Sequence, residues 1–178
     1  MTGARWAVTA SVLLAIAAAL IVGGLVLFLR GDDDTATPVG AGALAAVLGG
    51  ARPATVPFTG LTEVRLDIGG DCRHVVVADA VDERAVGLMR RRDLGPYDGM
   101  LFVFGGTTQG AFTMSNVPIP LDIGFYDTAG HPVDRLLMQP CPDRPVSECP
   151  SYRSRSPYRY AVETLQGGLP GGALSGCP

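Results

Sequence analysis

Residues 99–127, GMLFVFGGTTQGAFTMSNVPIPLDIGFYD, decide the fold. Three short runs, Met100–Phe104, Ala111–Asn116 and Leu121–Tyr126, are set apart by Gly105-Gly106 and by Pro118 and Pro120. Short runs between glycine and proline breaks read as strands rather than as helix. Proline has no amide donor, so positions 118 and 120 lie outside any central ladder. Asp122 stands between Leu121 and Ile123. An ionised acid in such surroundings requires a partner or marks a site.

The same alternation extends to either side. Glu63–Ile68 carries Val64, Leu66 and Ile68 on one face, and Gly69-Gly70-Asp71 is a turn before the Val-rich run Cys72–Ala78. Val133–Met138 and Tyr158–Leu165 read as the last two strands, the latter setting Tyr158, Tyr160 and Val162 against Arg159, Ala161 and Glu163. One helix is expected from Asp82, which suits an N-terminal cap, to the basic run Arg90-Arg91-Arg92. Seven strands and one short helix predict a mostly β domain, a small barrel-like or curled antiparallel sheet.

The sequence divides into three parts. Residues 1–30 hold Trp6–Leu29, 24 residues without a charge between Arg5 and Arg30. As a helix that run spans about 36 Å, enough for a bilayer core of about 30 Å. It is longer than the apolar region of a cleaved signal peptide and lacks a small-x-small site, so it predicts an uncleaved single-pass anchor. Residues 31–60, rich in Gly, Ala, Pro and Thr, are expected to be a flexible tether. Residues 61–178 are the β-rich domain, expected on the outer side of the cell membrane.

The four cysteines, 72, 141, 149 and 177, all follow the anchor. An even count there predicts disulfides rather than a metal centre, for which tight ligand spacing is missing. Cys141 and Cys149 close the Pro-rich loop CPDRPVSEC, which leaves Cys72 with Cys177. The net charge of −3 indicates no nucleic-acid partner. All 14 basic side chains are Arg, which excludes lysine-based covalent chemistry. With only His74 and His131, no phosphate loop and no nucleophile elbow, no catalytic residue, metal or cofactor is assigned. Met89, Met100, Met114 and Met138 fall in apolar runs and read as core.

Five ordered blocks carry a resemblance: ERAVGLM at Glu83–Met89, GMLFVF at Gly99–Phe104, MSNVPIPLDIGFYD at Met114–Asp127, Pro140-Cys141, and PYRYAVE at Pro157–Glu163. Together they resemble the domain of unknown function 192 family over roughly residues 72–165. The resemblance implies a compact, barrel-like β domain with a short helix and no established activity. The family usually reads FWMKNT where this chain has Phe112-Thr113-Met114-Ser115-Asn116-Val117, and its closing strand is replaced here by GGLPGGALSGCP.

The candidate ligand residues are Asn116, Asp122, Arg159, Glu163 and Arg84. Asp122 and Arg159 are expected to pair, with Glu163 and Arg84 in the same network. Asp82 and Glu83 are expected at a helix start. These residues point to a non-catalytic binding module outside the cytoplasm, for a small polar ligand such as a carbohydrate or for an envelope partner. A carboxylate-dependent hydrolase and a purely structural envelope protein are the alternatives.

Overall fold

The computed structural model describes residues 39–178, so the expected anchor at Trp6–Leu29 lies outside the described residues. Among the described residues no helix is long and apolar enough to cross a membrane. Helix α1 (Val39–Gly49) and strand β1 (Arg52–Pro53) precede β2 (Thr62–Ile68) and β3 (Asp71–Ala78). Helix α2 (Val81–Val86) leads to β4 (Gly99–Thr108), β5 (Ala111–Thr113), β6 (Leu121–Tyr126) and β7 (Pro132–Met138). A 3-10 turn at Val146–Glu148, β8 (Ser151–Arg153), β9 (Tyr158–Leu165) and β10 (Leu174–Gly176) complete the chain.

The main sheet runs β1-β2-β3-β4-β9-β6-β7, with β10 also on β2, and β5 pairs β8 in a separate ribbon. The sheet is open, with edges at β1/β10 and at β7, so it does not close into the expected barrel. Nor is it wholly antiparallel: β3 and β4 run parallel, because α2 carries the chain between them.

Each face of the sheet is covered. On the first, Val76, Met100, Phe102, Ile123, Phe125 and Ala161 lie beneath Leu88, Leu94, Met114 and Val117. On the second, Val64, Leu66, Val75, Leu101, Tyr160 and Val162 meet Leu44, Leu169 and Leu174. Strand β6 is buried along its whole length and β9 along most of it, as the two central strands of a sheet covered on both sides must be.

Residues 39–60 are not a free tether. Leu44, Val47 and Leu48 recur at helical spacing and bring α1 onto the second face, where Leu44 is fully buried. The C-terminal GGLPGGALSGCP is also structural: β10 pairs β2, and Cys72–Cys177 bonds the tail to the start of β3. Gly69, at φ 63°, lies against the backbone of Gly171 and Gly172, where no side chain fits. The second bridge is Cys141–Cys149. For a separation of 105 residues, chain entropy gives Cys72–Cys177 roughly 4–5 kcal/mol.

Helix α2 is shorter than expected. Its start is closed by Glu83 rather than Asp82: Glu83 Oε2 accepts from the amides of Asp79 and Ala80, both at 3.0 Å. It ends at Gly87, with φ 47°, and Arg90 is itself left-handed at φ 61°, so the three arginines do not form a last helical turn.

Candidate functional site

Helix α2 and the strand β5 stand over the first face of the sheet and enclose a cavity of about 280 Å³ with β4 and β9. Four aromatic rings stand in its wall, Phe102, Phe104, Phe112 and Tyr158. Phe102 meets Phe112 edge-on at 5.1 Å, and Phe104 meets Tyr158 edge-on at 5.4 Å. These rings share a face because β4 alternates: Phe102 and Phe104 point one way, Leu101 and Val103 the other. Tyr158 OH donates to Gly110 O at 2.9 Å, and burial pushes its phenol up to about 12.

Glu163 lies on this wall. On β9 it is opposite Met100 of β4 and Ile123 of β6, two apolar neighbours, and it is 5% exposed. Among the described residues no charge or hydrogen bond offsets that burial, which pushes its carboxyl up to about 8. Thr113 lines the same cavity, and its buried Oγ1 has no hydrogen-bond partner. Arg84 stands at the solvent side of the cavity. Its Nη1 donates to Val103 O at 2.9 Å and to Asp79 O, and its guanidinium lies 5.1 Å from the centre of the Phe104 ring.

Of the five expected site residues, the cavity brings together Glu163 and Arg84. The other three lie elsewhere. Asp122 pairs with Arg135, not Arg159: Arg135 Nη2 donates to Asp122 Oδ2 at 2.9 Å, and Gly167 N donates to the same oxygen at 2.9 Å. The reason is register. Asp122 is opposite Thr164 of β9, five residues from Arg159, a separation of about 17 Å along a strand. Arg159 instead stacks on Tyr160 at 5.6 Å, and its buried Nε has no partner.

Asn116 lies away from this cavity. It is left-handed at φ 59°, its amide donates to Cys141 O at 3.0 Å, and its carbonyl accepts from Arg90 N at 2.7 Å. It lines a separate hollow of about 260 Å³ with Arg90, Arg92 and Asp143.

One cluster was not foreseen. Tyr97 OH donates to Glu63 Oε2 at 2.6 Å, and His74 Nε2 lies 3.3 Å from Glu63 Oε1. The Tyr97 bond, aided by His74, holds the Glu63 carboxyl below its usual range. Pairing of β2 with β3 makes Glu63 and His74 diagonal neighbours, and that pairing was legible from the Gly69-Gly70 turn. The position of Tyr97, in a loop, was not.

A profile of the DUF192 family, described as "Uncharacterized ACR", matches residues 64–170. The chain belongs to the DUF192 family. No curated protein matches it in sequence. A crystal structure of a protein of unknown function from Novosphingobium aromaticivorans is 26% identical, with a TM-score of 0.57, over 70% of this chain and 93% of that one. Another, of "a putative transcription regulator" from Sinorhizobium meliloti, is 30% identical, with a TM-score of 0.54, over 69% of this chain and 98% of that one. The family and both neighbours thus bring a shared fold and no assigned reaction. The cavity sits within the matched region, and ERAVGLM and PYRYAVE both contribute to its wall.

Proposed function

We propose that this DUF192 domain is a non-catalytic binding module that takes one small ligand into the cavity above Glu163. The observation that carries the reading is a carboxyl group in an apolar wall, without a partner, opening on a space large enough for a small molecule. Folding such a group without a partner opposes stability, and a ligand that answers it recovers that cost on binding. The hydrolase reading is weaker. A carboxyl with a raised pKa suits a general acid, but Glu163 is the single carboxylate among the described residues on the cavity wall. The regulator named among the structural neighbours lends this chain no nucleic-acid role, since its net charge is −3.

The proposal also places the domain outside the cytoplasm, tethered by Trp6–Leu29. Two disulfides suit an oxidising compartment, and the uncharged run is long enough to span a bilayer. Protease added to intact spheroplasts removes the domain if this is right, and full protection of the domain refutes it.

A thermal-shift screen of the full chain against sugars, nucleotides, amines, amino acids and metals tests the binding reading. A selective stabiliser is expected, acting by mass action on the folded state. Thr113→Trp should fill the cavity and abolish that shift while the protein still melts cooperatively. Absence of any stabiliser across all classes would favour the structural envelope protein.

A further inference from the structure

We propose that the ligand is a small zwitterion of the amino-acid kind, its ammonium group at Glu163 and its carboxylate at Arg84. This rests on the binding reading above and gives that ligand a chemical class. The cavity wall carries one acid and one base, and they do not pair with each other. Glu163 is nearly sealed from solvent, whereas Arg84 is half-buried on α2. Both line the same cavity of about 280 Å³.

Each feature of the wall selects against a simpler ligand. A primary ammonium has three donors. The carboxylate of Glu163 is an acceptor for them. Aromatic rings such as Phe112 and Tyr158 in the wall are compatible with a nearby cation. A plain amine would satisfy Glu163 but meet the positive charge of Arg84 at the solvent side. A plain acid would pair with Arg84 and leave Glu163 unanswered. Arg84 can serve as a fixed anion clamp because Nη1 is held by two carbonyl oxygens, while its Nε and Nη2 engage no acceptor among the described residues. The remaining wall, made of Phe102, Phe112, Val117 and Leu88, suits an apolar side chain.

Burial keeps the free Glu163 carboxyl protonated near neutral pH. The ammonium must ionise it, so binding below pH about 8 should release a proton. Arg84 and Tyr158 are the other titratable groups on this wall, and burial pushes the Tyr158 phenol up to about 12.

Titration calorimetry of the full chain in two buffers of different ionisation heat tests the idea. The probes are L-leucine and L-phenylalanine, with isoamylamine, isocaproate and isocaproamide as the parts of leucine. The amino acids are expected to bind with proton release. Isoamylamine should bind more weakly, and the acid and the amide should not bind measurably. Glu163→Gln should weaken leucine about thirtyfold or more, as expected when one partner of a buried charge pair is removed. Arg84→Gln should weaken leucine and leave isoamylamine unchanged or improved. A melting curve of Glu163→Gln without ligand shows that the variant is folded. Isocaproamide binding as tightly as leucine, and persisting in Glu163→Gln, would overturn the ammonium assignment and leave the binding reading standing. Equal binding of isoamylamine and leucine, with Arg84→Gln silent, would overturn the zwitterion. If all five probes fail while another compound class binds and Thr113→Trp blocks it, the ligand class is wrong and the site is right. If nothing binds at all, both fall.

Discussion

Asp134 of β7 and Glu163 of β9 are both buried carboxyl groups on one sheet, and their surroundings push them in opposite directions. Asp134 accepts from the amides of Arg135 and Arg155, each at 2.9 Å, and from Arg155 Nη2 at 2.7 Å. The Arg155 guanidinium is the first cause that holds its carboxyl down, to about 2. Glu163 has no such partner and is raised to about 8 by burial. The difference follows from place in the sheet. β7 is an edge strand, so loop residues such as Arg155 can turn their amides and side chains towards it. β9 is paired on both sides, by β4 and β6, so the neighbouring backbone groups are already bonded in the ladder. Beside Glu163 those strands leave no free amide to answer the carboxyl, which is left to a side chain or to a ligand. That contrast separates an acid that fixes the fold from an acid that is available for recognition.

The largest expected effect lies at Glu163. Its folded pKa is above the unfolded value of about 4.3, so the folded state holds a proton that the unfolded state has lost. Stability therefore falls as pH rises from about 4.3 to about 8 and is flat above. The full span is on the order of 4–5 kcal/mol, at about 1.4 kcal/mol per pH unit. Glu163→Gln should flatten this slope and be the more stable protein at pH 8. Chemical denaturation at several pH values measures it. A wild-type slope unchanged by the substitution would mean that Glu163 is answered after all, and the contrast with Asp134 would disappear.

Asp134 should show the opposite sign with a smaller effect. Asp134→Ala leaves two amides without their acceptor, which costs about 2–3 kcal/mol at neutral pH. Arg155 adds little to that loss, because its side chain is 84% exposed and returns to water. The stability that the wild-type carboxylate contributes is present above about pH 4 and is lost as pH falls through about 2. The gap between wild type and Asp134→Ala should narrow over that window. A gap that stays constant down to pH 2 would show that shape, not charge, holds this corner.

Much of the fold was legible, and what was missed has physical causes. All seven expected strands are present because Gly, Pro and alternating β-branched residues mark them directly. The two disulfides followed from four cysteines and one short loop. Helix α1 was missed because VGAGALAAVLG sets Leu44, Val47 and Leu48 against Ala and Gly, which gives no polar face to reveal the period. β8 and β10 are three residues each and owe their pairing to distant strands, β5 and β2. The site was half legible. Glu163 and Arg84 were named, but as part of a network around Asp122 and Arg159, because an acid within an apolar run was expected to find a charged partner. The register of β9, which no local pattern reveals, sets Glu163 between Met100 and Ile123 instead.

The smallest expected effect concerns Asp122, which falls between the two extremes. It has one amide and one guanidinium, fewer partners than Asp134 and more than Glu163. Arg135 is its diagonal neighbour across β6 and β7, since Asp122 is opposite Leu137. The Arg135 side chain is 47% exposed, so solvent screens the pair and a coupling of about 0.5–1 kcal/mol is the appropriate scale. Asp122→Ala should cost more than Arg135→Ala, because only the first deprives Gly167 N of its acceptor. A double-mutant cycle on Asp122 and Arg135 isolates the pair term, while the same cycle on Asp122 and Arg159 should give zero. Both cycles share the Asp122 variant, so any loss at Gly167 cancels between them. Coupling to Arg159 as large as that to Arg135 would mean that β6 and β9 are paired in another register, and Glu163 would then no longer lie between Met100 and Ile123. The cycle at Asp122 thus also checks the strand alignment that leaves Glu163 without a partner.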